Sequence, residues 1–392
     1  MLNIDAFAWE TASMKQVVYL TNDGHVHELS VQKGGSWQHT DLTKEASAPK
    51  ADVSNNGGTI AGYAWEKAGT KQVVYLSGGH IHELYKQQGS SWKYADLTQI
   101  ALKSNLQTPK AVYSDLVGYA WETGGSKQVV YLDNNHIHEL YIRQGESWNN
   151  ADLTKLAGAS KAYRLGSAYA WDKGGSKQVV YMGDNGIHEL YIRQGETWKD
   201  VNLTQLAGAP DAFVLGSAYG WDAGGSKQVV FGYSKKINDD PNELYYPLQI
   251  DELYIGQAKS WQYADLTQLT GAPLVSNLSG NLGSAYAWKA GGSKQVVYFD
   301  GDRIYEIYLQ QGKSWQYADL TKLTNAPAPS PSSALIGYAW EAGSTKQVVY
   351  LTNDGHIHEL FVQKGGAWSH ADLTQLTGAP PAFKQVPPPP PK

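Results

Sequence analysis

The chain repeats one unit seven times, and every copy carries two tryptophans at fixed distances from two short motifs. In the third copy, Trp121 is followed by SKQVV at residues 126–130, by HIHEL at residues 136–140, and then by Trp148. The leading tryptophans are Trp9, Trp65, Trp121, Trp171, Trp221, Trp288 and Trp340, and the second ones are Trp37, Trp92, Trp148, Trp198, Trp261, Trp315 and Trp368. These are all 14 tryptophans of the chain. So regular a repeat predicts an array of equivalent structural units, with any function repeated along with them.

Each copy is predicted to contain four short β-strands. In the fourth copy these are residues 165–171, 177–181 and 187–192, and a strand that starts at Trp198. Clusters such as Gly-Gly-Ser, Asp-Asn-Gly and Gln-Gly-Glu separate the strands and favour tight turns. No segment keeps a helical period over several turns, apart from one turn predicted at residues 152–156. Four strands in roughly 50 residues, repeated seven times, are typical of an all-β, seven-bladed β-propeller with four-stranded antiparallel blades.

The repeats fill nearly the whole chain, so we predict a single propeller domain over residues 1–386. The copies span about 6–49, 61–109, 117–160, 167–210, 217–273, 284–327 and 336–380, and residues 387–392 form a polyproline tail. Insertions lie at about 103–115, 232–250 and 327–333; the second contains a decoy Asn-Glu-Leu at 242–244. Residues 381–386 resemble the stretch that precedes later copies and that the first copy lacks. The N- and C-terminal segments are therefore predicted to close the ring.

Composition excludes several classes of function. The net charge is −5 and no basic block is present, which argues against a nucleic acid or an anionic membrane surface as partner. The absence of cysteine excludes disulfides and thiol chemistry. No apolar stretch approaches the ~18 residues of a spanning helix, so membrane insertion is not expected. No signal peptide is visible, which indicates a soluble protein that is cytoplasmic or released by a route without one.

A His-x-His pair precedes the Glu-Leu dipeptide in copies 1, 2, 3 and 7. Alternation along a strand puts both imidazoles on one face, which is an arrangement compatible with metal binding. Each pair needs further ligands from elsewhere in its blade, and the other three copies lack the pair. A structural role is therefore favoured, and no metal ligand or cofactor is predicted.

One glutamate of the third strand is present in every copy. The seven are Glu28, Glu83, Glu139, Glu189, Glu252, Glu306 and Glu359. One interpretation is a charge pair with the lysine of the same copy, such as Lys127 with Glu139, but an exposed pair contributes only ~0–1 kcal/mol. The other interpretation is a repeated binding site, since carboxylates and amides bind sugar hydroxyls and an indole covers the apolar face of a sugar. No catalytic motif is present, and repeated weak sites favour multivalent binding over catalysis.

The fourth copy, with SAYAW at 167–171, QVVY at 178–181, DNGIHELY at 184–191 and ETW at 196–198, resembles the repeat of the fucose-specific β-propeller lectins. That family includes the orange-peel mushroom type and bacterial seven-bladed relatives, and the resemblance extends over all seven copies. It implies pockets between adjacent blades, in which an arginine of strand two and a glutamate of strand three bind sugar hydroxyls. An aromatic residue of the next blade stacks on the sugar. This chain has glutamine at the arginine position, which keeps hydrogen-bonding capacity but loses the charge and the bidentate geometry.

Carried over by position, each pocket combines a glutamine and a glutamate of one blade with the second tryptophan of the next. The seven sets are Gln16, Glu28 and Trp92; Gln72, Glu83 and Trp148; Gln128, Glu139 and Trp198; Gln178, Glu189 and Trp261; Gln228, Glu252 and Trp315; Gln295, Glu306 and Trp368; and Gln347, Glu359 and Trp37. The function implied is that of a multivalent lectin for glycans or glycoconjugates. The ligand is predicted to be fucose or a related sugar, and the pattern is compatible with a homo-oligomer.

Two other classes of function stay open at this point. A propeller scaffold for protein partners would give a role to the polyproline tail and to the insertion of copy five. An enzyme, such as a lyase or cyclase, would use the central channel or one atypical pocket near that insertion.

Overall fold

The computed structural model describes residues 3–54, 58–102, 116–234, 247–256, 260–276 and 282–384. Within these ranges the chain forms seven four-stranded antiparallel sheets, each with its strands in sequence order. The first strand of every sheet contacts the first strands of two neighbouring sheets, and the last sheet contacts the first. The sheets are therefore the blades of a closed seven-bladed β-propeller, which confirms the predicted fold. We number them blades 1 to 7 in chain order.

The two inner strands of each blade contain the leading tryptophan and the KQVV motif. The first strands are Ile4–Trp9, Ile60–Trp65, Leu116–Trp121, Ala162–Trp171, Val214–Trp221, Ser284–Trp288 and Ile336–Trp340. The second strands are Met14–Leu20, Thr70–Ser77, Ser126–Asp133, Ser176–Gly183, Ser226–Ser234, Ser293–Asp300 and Thr345–Leu351.

The two outer strands of each blade contain the Glu-Leu dipeptide and the residues that follow the second tryptophan. The third strands are Val26–Gln32, His80–Gln87, His136–Arg143, Gly186–Arg193, Leu248–Ile255, Arg303–Gln310 and Ile357–Gln363. The fourth strands are Gln38–Asp41, Lys93–Asp96, Asn149–Asp152, Lys199–Asn202, Trp261–Asp265, Gln316–Asp319 and Ser369–Asp372. A short α-helix follows each one: Leu42–Glu45, Leu97–Leu102, Leu153–Ala157, Leu203–Ala207, Leu266–Thr270, Leu320–Thr324 and Leu373–Thr377.

The hydrophobic core lies between the blades. Tyr63 and Val74 of blade 2, for example, form one buried cluster with Val129, Tyr131 and Leu140 of blade 3. Because each blade packs against a neighbour on both faces, both sides of its second strand are buried. This explains why the second strands are nearly continuous apolar runs instead of alternating ones.

An Asp-Leu-Thr motif, which is Asn-Leu-Thr in blade 4, ends each blade. In blade 3, the Asp152 carboxylate accepts a hydrogen bond from the backbone N–H of Lys155 and caps the short helix. Leu153 is fully buried, and the Thr154 hydroxyl accepts from the backbone N–H of Ile137 on the third strand at 2.9 Å. The helical turn predicted at residues 152–156 is therefore a short helix, one of the seven that follow the fourth strands in the described part of the chain.

The C-terminal segment closes the ring at blade 1. The backbone N–H of Phe383 donates to the carbonyl of Leu20 at 2.7 Å, as Ser330 N–H does to Leu351 in blade 7. The Asn3 side-chain amide in turn donates to the Phe383 carbonyl at 3.2 Å. The segment thus supplies the contact that an inter-blade linker supplies elsewhere, which confirms the predicted closure. The tail at 387–392, the insertion at 103–115 and the decoy at 242–244 lie outside the described residues.

Every junction between blades contains a buried ion pair. The glutamate of one blade accepts from the lysine that precedes the Gln-Val-Val of the next, with Nζ–Oε distances of 2.5 to 2.7 Å. The lysine side chains are at most 10% exposed and the glutamates at most 3%. The pairs are Lys71–Glu28, Lys127–Glu83, Lys177–Glu139, Lys227–Glu189, Lys294–Glu252, Lys346–Glu306 and Lys15–Glu359. The last pair joins blade 1 to blade 7, so the series is a closed ring.

The pairing of lysine with glutamate inside one blade, which was one interpretation of the sequence, is wrong. In blade 3, Lys127 lies opposite Ile142 in the strand register, and Ile142 is an odd number of residues from Glu139. Successive side chains of a strand point to opposite faces, so Lys127 and Glu139 face different neighbours. Lys127 binds Glu83 of blade 2, and Glu139 binds Lys177 of blade 4.

We predict that Lys177→Met lowers the free energy of unfolding by ~3–5 kcal/mol, because it leaves the Glu139 carboxylate buried without its partner. Replacing both residues, as Lys177→Met with Glu139→Gln, should recover most of that loss, since no buried charge is then left unpaired. Urea denaturation followed by tryptophan fluorescence measures both changes.

The matched control is Lys199→Met. Lys199 pairs with Glu196 on the surface, where the two side chains are 48% and 37% exposed. Its loss should change the free energy of unfolding by no more than ~1 kcal/mol. Equal effects of the two lysine substitutions would contradict a structural role for the buried ring.

Candidate functional site

Each buried lysine lies among aromatic rings from two blades. The Lys177 ammonium is 5.2 Å from the centre of the Trp198 ring, 5.8 Å from that of Trp121 and 5.7 Å from that of Tyr141. Trp198 belongs to the same blade as the lysine, whereas the other two rings and Glu139 belong to the preceding one. We call this group of lysine, glutamate and aromatic rings a lysine cage. Contacts of a cation with ring faces at these distances are favourable, and more so when the cation is shielded from water.

The cage recurs at all seven junctions with one constant ring. The second tryptophan of the lysine's own blade is 4.8 to 5.3 Å from the ammonium in every case. These are the tryptophans Trp37, Trp92, Trp148, Trp198, Trp261, Trp315 and Trp368. The structure thus brings the predicted glutamate of one blade and the predicted tryptophan of the next together, with the lysine between them.

The predicted glutamines are also at the junctions, but they are buried. Gln128 lies opposite Tyr141 in the register and therefore shares the face of Glu139. Its amide donates to the Ser126 hydroxyl at 2.5 Å, and its Oε1 atom has no hydrogen-bond partner among the described residues. The same holds for Oε1 of the other six: Gln16, Gln72, Gln178, Gln228, Gln295 and Gln347, all of which are fully buried.

Aromatic side chains form the accessible edge of the cages. Among the second tryptophans, those of blades 1, 4, 6 and 7 are half-buried: Trp37, Trp198, Trp315 and Trp368. Trp92, Trp148 and Trp261 are buried, at 4 to 8% exposure. The leading tryptophans are buried too, apart from the half-buried Trp171. A ligand at a junction therefore meets ring edges and faces first, with the lysine and glutamate behind them.

Burial governs the electrostatics of the cages. It raises the pKa of Glu252 above its usual value, and the ammonium of Lys294 offsets part of that effect. It also raises the pKa of Tyr119, whose hydroxyl lies 3.4 Å from the Glu139 carboxylate, well above its usual value. The Tyr119 phenol therefore stays protonated at neutral pH and donates to the Glu139 carboxylate.

The His-x-His pairs lie on the third strands in blades 2 and 3, with both rings on one face as alternation predicts; in blades 1 and 7 the first histidine immediately precedes the strand. The rings of His136 and His138 are stacked, with centres 6.2 Å apart. His136 Nδ1 lies 2.9 Å from the Asp152 carboxylate, and His138 stacks on Tyr131 of the second strand. In blade 1, burial lowers the pKa of His27 to about 4, so that imidazole is uncharged at neutral pH.

The central cavity, which measures about 860 Å³, is bounded by the first strands. Glycine, alanine, serine and aliphatic residues form most of its wall, and its titratable side chains are Asp5, Arg164 and Lys384. The Asp5 carboxylate accepts from the backbone N–H groups of Ala6 and Gly62, while burial raises its pKa to about 6. The described part of the wall contains one carboxylate and no histidine.

Sequence reasoning missed a second polar contact at the junctions. The carboxylate of Glu66 accepts from the backbone N–H groups of Glu10 and Thr11 in the preceding blade, at 2.7 and 2.8 Å. Glu10 in turn accepts from Glu341 and Ala342 of blade 7. The sequence does contain a pattern that indicates this contact, because an acidic residue follows the leading tryptophan in six of the seven copies.

Blade 5 differs from the others in having a carboxylate at the third-strand position that precedes the conserved glutamate of the repeat, where five blades have histidine. Asp251 lies opposite Asp265, just as His27 lies opposite Asp41 in blade 1. Asp251 is fully buried, and burial raises its pKa to about 7, with the nearby charge of Asp265 adding to the rise.

We predict that Asp251→Asn stabilises the protein at pH 8 and not at pH 4. The folded pKa of about 7 lies above the ~3.9 of an unfolded aspartate, so the carboxyl costs little stability at pH 4, near the unfolded pKa. Between about pH 4 and 7 the unfolded state loses this proton and the folded state keeps it, so stability falls as the pH rises, and the loss is complete by pH 8. Thermal unfolding of the variant and the wild type at both pH values measures the difference. Asp302→Asn, at a side chain that is 82% exposed, is the control; a pH-independent effect of Asp251→Asn would contradict the assignment.

None of the helices in the described part of the chain is long and apolar enough to cross a bilayer.

The fold of this chain is similar to that of known proteins, one of which is a lectin. No protein-family model matches the chain, and no curated protein matches it. Among solved structures, the BP39L lectin from Burkholderia pseudomallei is 11% identical, with a TM-score of 0.64 over 94% of this chain and 97% of that one. AofleA from Arthrobotrys oligospora is 13% identical, with a TM-score of 0.52 over 94% of this chain and 85% of that one. At these identities, the likeness establishes that the chain shares the overall fold of these proteins.

Proposed function

We propose that the protein is a multivalent carbohydrate-binding protein whose ligand sites are the seven lysine cages. The observation that carries the proposal is the recurrence of one constellation at every junction: a lysine–glutamate pair beside a tryptophan of the lysine's own blade. A single catalytic centre does not require seven equivalent copies, whereas multivalent binding gains from each of them.

The chemistry of a cage matches that of a sugar. A sugar ring offers hydroxyls, which need charged or polar partners, and an apolar face, which packs on an indole. The half-buried Trp198 supplies such a face, and Lys177 and Glu139 supply a donor and an acceptor behind it. The Oε1 atom of Gln128, which has no partner among the described residues, is one further acceptor on the face of Glu139, buried behind the rings.

The lysine offers an explanation for the glutamine at the family's arginine position. In the lectin family that the sequence resembles, the cation of the site is the arginine of strand two, at the position where this chain has Gln128. In this chain, the cation beside Glu139 comes from Lys177 of the following blade. We infer that the lysine takes over the role of the arginine, with a different geometry toward the hydroxyls. The different position of the cation affects which sugar the site prefers. Fucose or a related sugar is the first candidate.

Similarity of fold supports the same function. The BP39L structure, which matches nearly the full length of both chains, is described as a lectin. From that structure we take only the class of ligand, carbohydrate, and none of its binding residues.

A glycan array tests the proposal. On an array of fucosylated and non-fucosylated glycans, the full chain should bind at least one group of glycans. The free sugar that these glycans carry should compete with that binding. Replacing the four half-buried tryptophans Trp37, Trp198, Trp315 and Trp368 by alanine should weaken binding by at least ~10-fold, because fewer sites reduce avidity. Circular dichroism checks that this variant is folded.

The control replaces four exposed leucines of the short helices by glutamine: Leu156, Leu206, Leu269 and Leu323, at 56 to 60% exposure. This variant should bind as the wild type does. The proposal fails if no glycan binds, or if the folded four-tryptophan variant keeps its full affinity.

A further inference from the structure

Blades 1 and 7 each contain three histidines and one aspartate on the third and fourth strands or directly before the third. In blade 1 they are His25, His27, His39 and Asp41, and in blade 7 they are His356, His358, His370 and Asp372. We call these two groups the His3Asp clusters. In each one, ligand atoms of the His-x-His pair and of the aspartate lie within 4.8 Å of one another. The third histidine joins them through the second: His27 Nδ1 is 2.9 Å from His39 Nε2, and His358 Nδ1 is 2.8 Å from His370 Nε2.

The strand register places the four side chains on one face. In blade 1, His27 of the third strand is opposite Asp41 and Leu29 is opposite His39, so the fourth strand contributes His39 and Asp41. Residues two apart on a strand share a face, which puts His39 beside Asp41. His25 immediately precedes the third strand, and its ring centre is 6.0 Å from that of His27. The sequence alone left the His-x-His pairs without further ligands, and the fourth strand supplies them.

The aspartate is held in position by the helix cap. Asp41 Oδ1 accepts from the backbone N–H of Lys44 at 2.9 Å, which leaves Oδ2 free to face His25 Nδ1 at 2.8 Å. In blade 7, Asp372 accepts from Gln375 N–H and faces His356 in the same way. A carboxylate that is already oriented loses little freedom when a cation binds.

We propose that each His3Asp cluster is a binding site for one zinc-class divalent cation. Three imidazole nitrogens and one carboxylate oxygen form a four-coordinate donor set that suits Zn²⁺, whereas Ca²⁺ and Mg²⁺ require oxygen ligands. Two nitrogens at about 2.0–2.1 Å from a tetrahedral zinc are roughly 3.4 Å apart. The 2.9 Å between His27 and His39 therefore needs to open by a few tenths of an ångström, and His39 has in addition to approach His25 and Asp41, which with His27 form the group within 4.8 Å.

The other blades show which member distinguishes blades 1 and 7. Blades 2 and 3 keep both histidines of the pair and the aspartate, but they have Tyr94 and Asn150 where blade 1 has His39. In blade 6, Arg303 takes the place of the first histidine and pairs with Asp319 at 2.8 Å, so a cation of the chain itself neutralises the aspartate.

The blade 1 cluster is open to small ions. A cavity of about 450 Å³ is lined by His25, His27 and Asp41, together with Asp23 and Lys384. The Asp23 carboxylate lies 3.7 Å from His25 Nε2 at the entrance and also pairs with Lys50 at 3.6 Å, while Lys384 lines the cavity. In blade 7, the side chain of His356 is 36% exposed, so that cluster is also accessible.

Zinc titration by calorimetry tests the proposal on the full chain. We expect two equivalents of Zn²⁺ per chain and none of Mg²⁺ or Ca²⁺. His39→Asn and His370→Asn should each remove one equivalent, and the double variant should remove both. Asparagine occupies this position in blade 3, so the variants should fold. Binding to the folded state should also raise the unfolding temperature of the wild type and not that of the double variant.

A gain of binding provides the sharpest control. Tyr94→His gives blade 2 the third histidine beside His80, His82 and Asp96, and should add a third equivalent of zinc. His136→Gln in blade 3, which lacks the third histidine, should leave two equivalents. The proposal is overturned if the wild type binds no zinc, if the double variant still binds two equivalents, or if four equivalents bind irrespective of His39 and His370. These outcomes are independent of whether the lysine cages bind sugars.

Discussion

The propeller depends on an alternation between two adjacent residues of each second strand, a lysine and a glutamine. Lys177 points to the preceding blade and Gln178 to the following one, so each strand supplies one polar side chain to each of two junctions. The lysine meets a glutamate that is 2% exposed, and the aromatic rings of the cage surround the pair. Burying both charges has a large desolvation cost, and the attraction offsets it only when the geometry is good. The blades must therefore meet in one register, which also sets where a ligand can approach.

Much of the fold followed from the sequence because the repeat is strict where strands pack. The fixed distance of nine residues from Glu139 to Trp148 spans one turn between two adjacent strands, so strands and blade count could be predicted from spacing alone. The meeting of Glu139 with Trp198 was predictable as well, although only through resemblance to a lectin repeat. Periodicity indicates strands, but resemblance was needed to say which blade contacts which.

The partner of Glu139 was missed for a physical reason. Polar residues that alternate with apolar ones usually indicate a solvent-facing side, and on that view a lysine and a glutamate of one repeat look like a surface pair. In a propeller both faces of a blade are covered, so a polar residue on either face meets another blade. The third histidine was missed for a related reason: His39 is 12 residues from His27, and only the pairing of a four-residue strand brings them together.

The junctions also define a direction around the ring. Each blade offers a lysine on one face and a glutamate on the other, so any two blades meet through different surfaces. This is the relation called heterologous in oligomers, which forms a closed ring only when the rotation per step divides the circle. A heterologous series can in principle continue as an open helix, and here the contact of Lys15 with Glu359 ends it. The chain is thus the covalent equivalent of a cyclic heptamer.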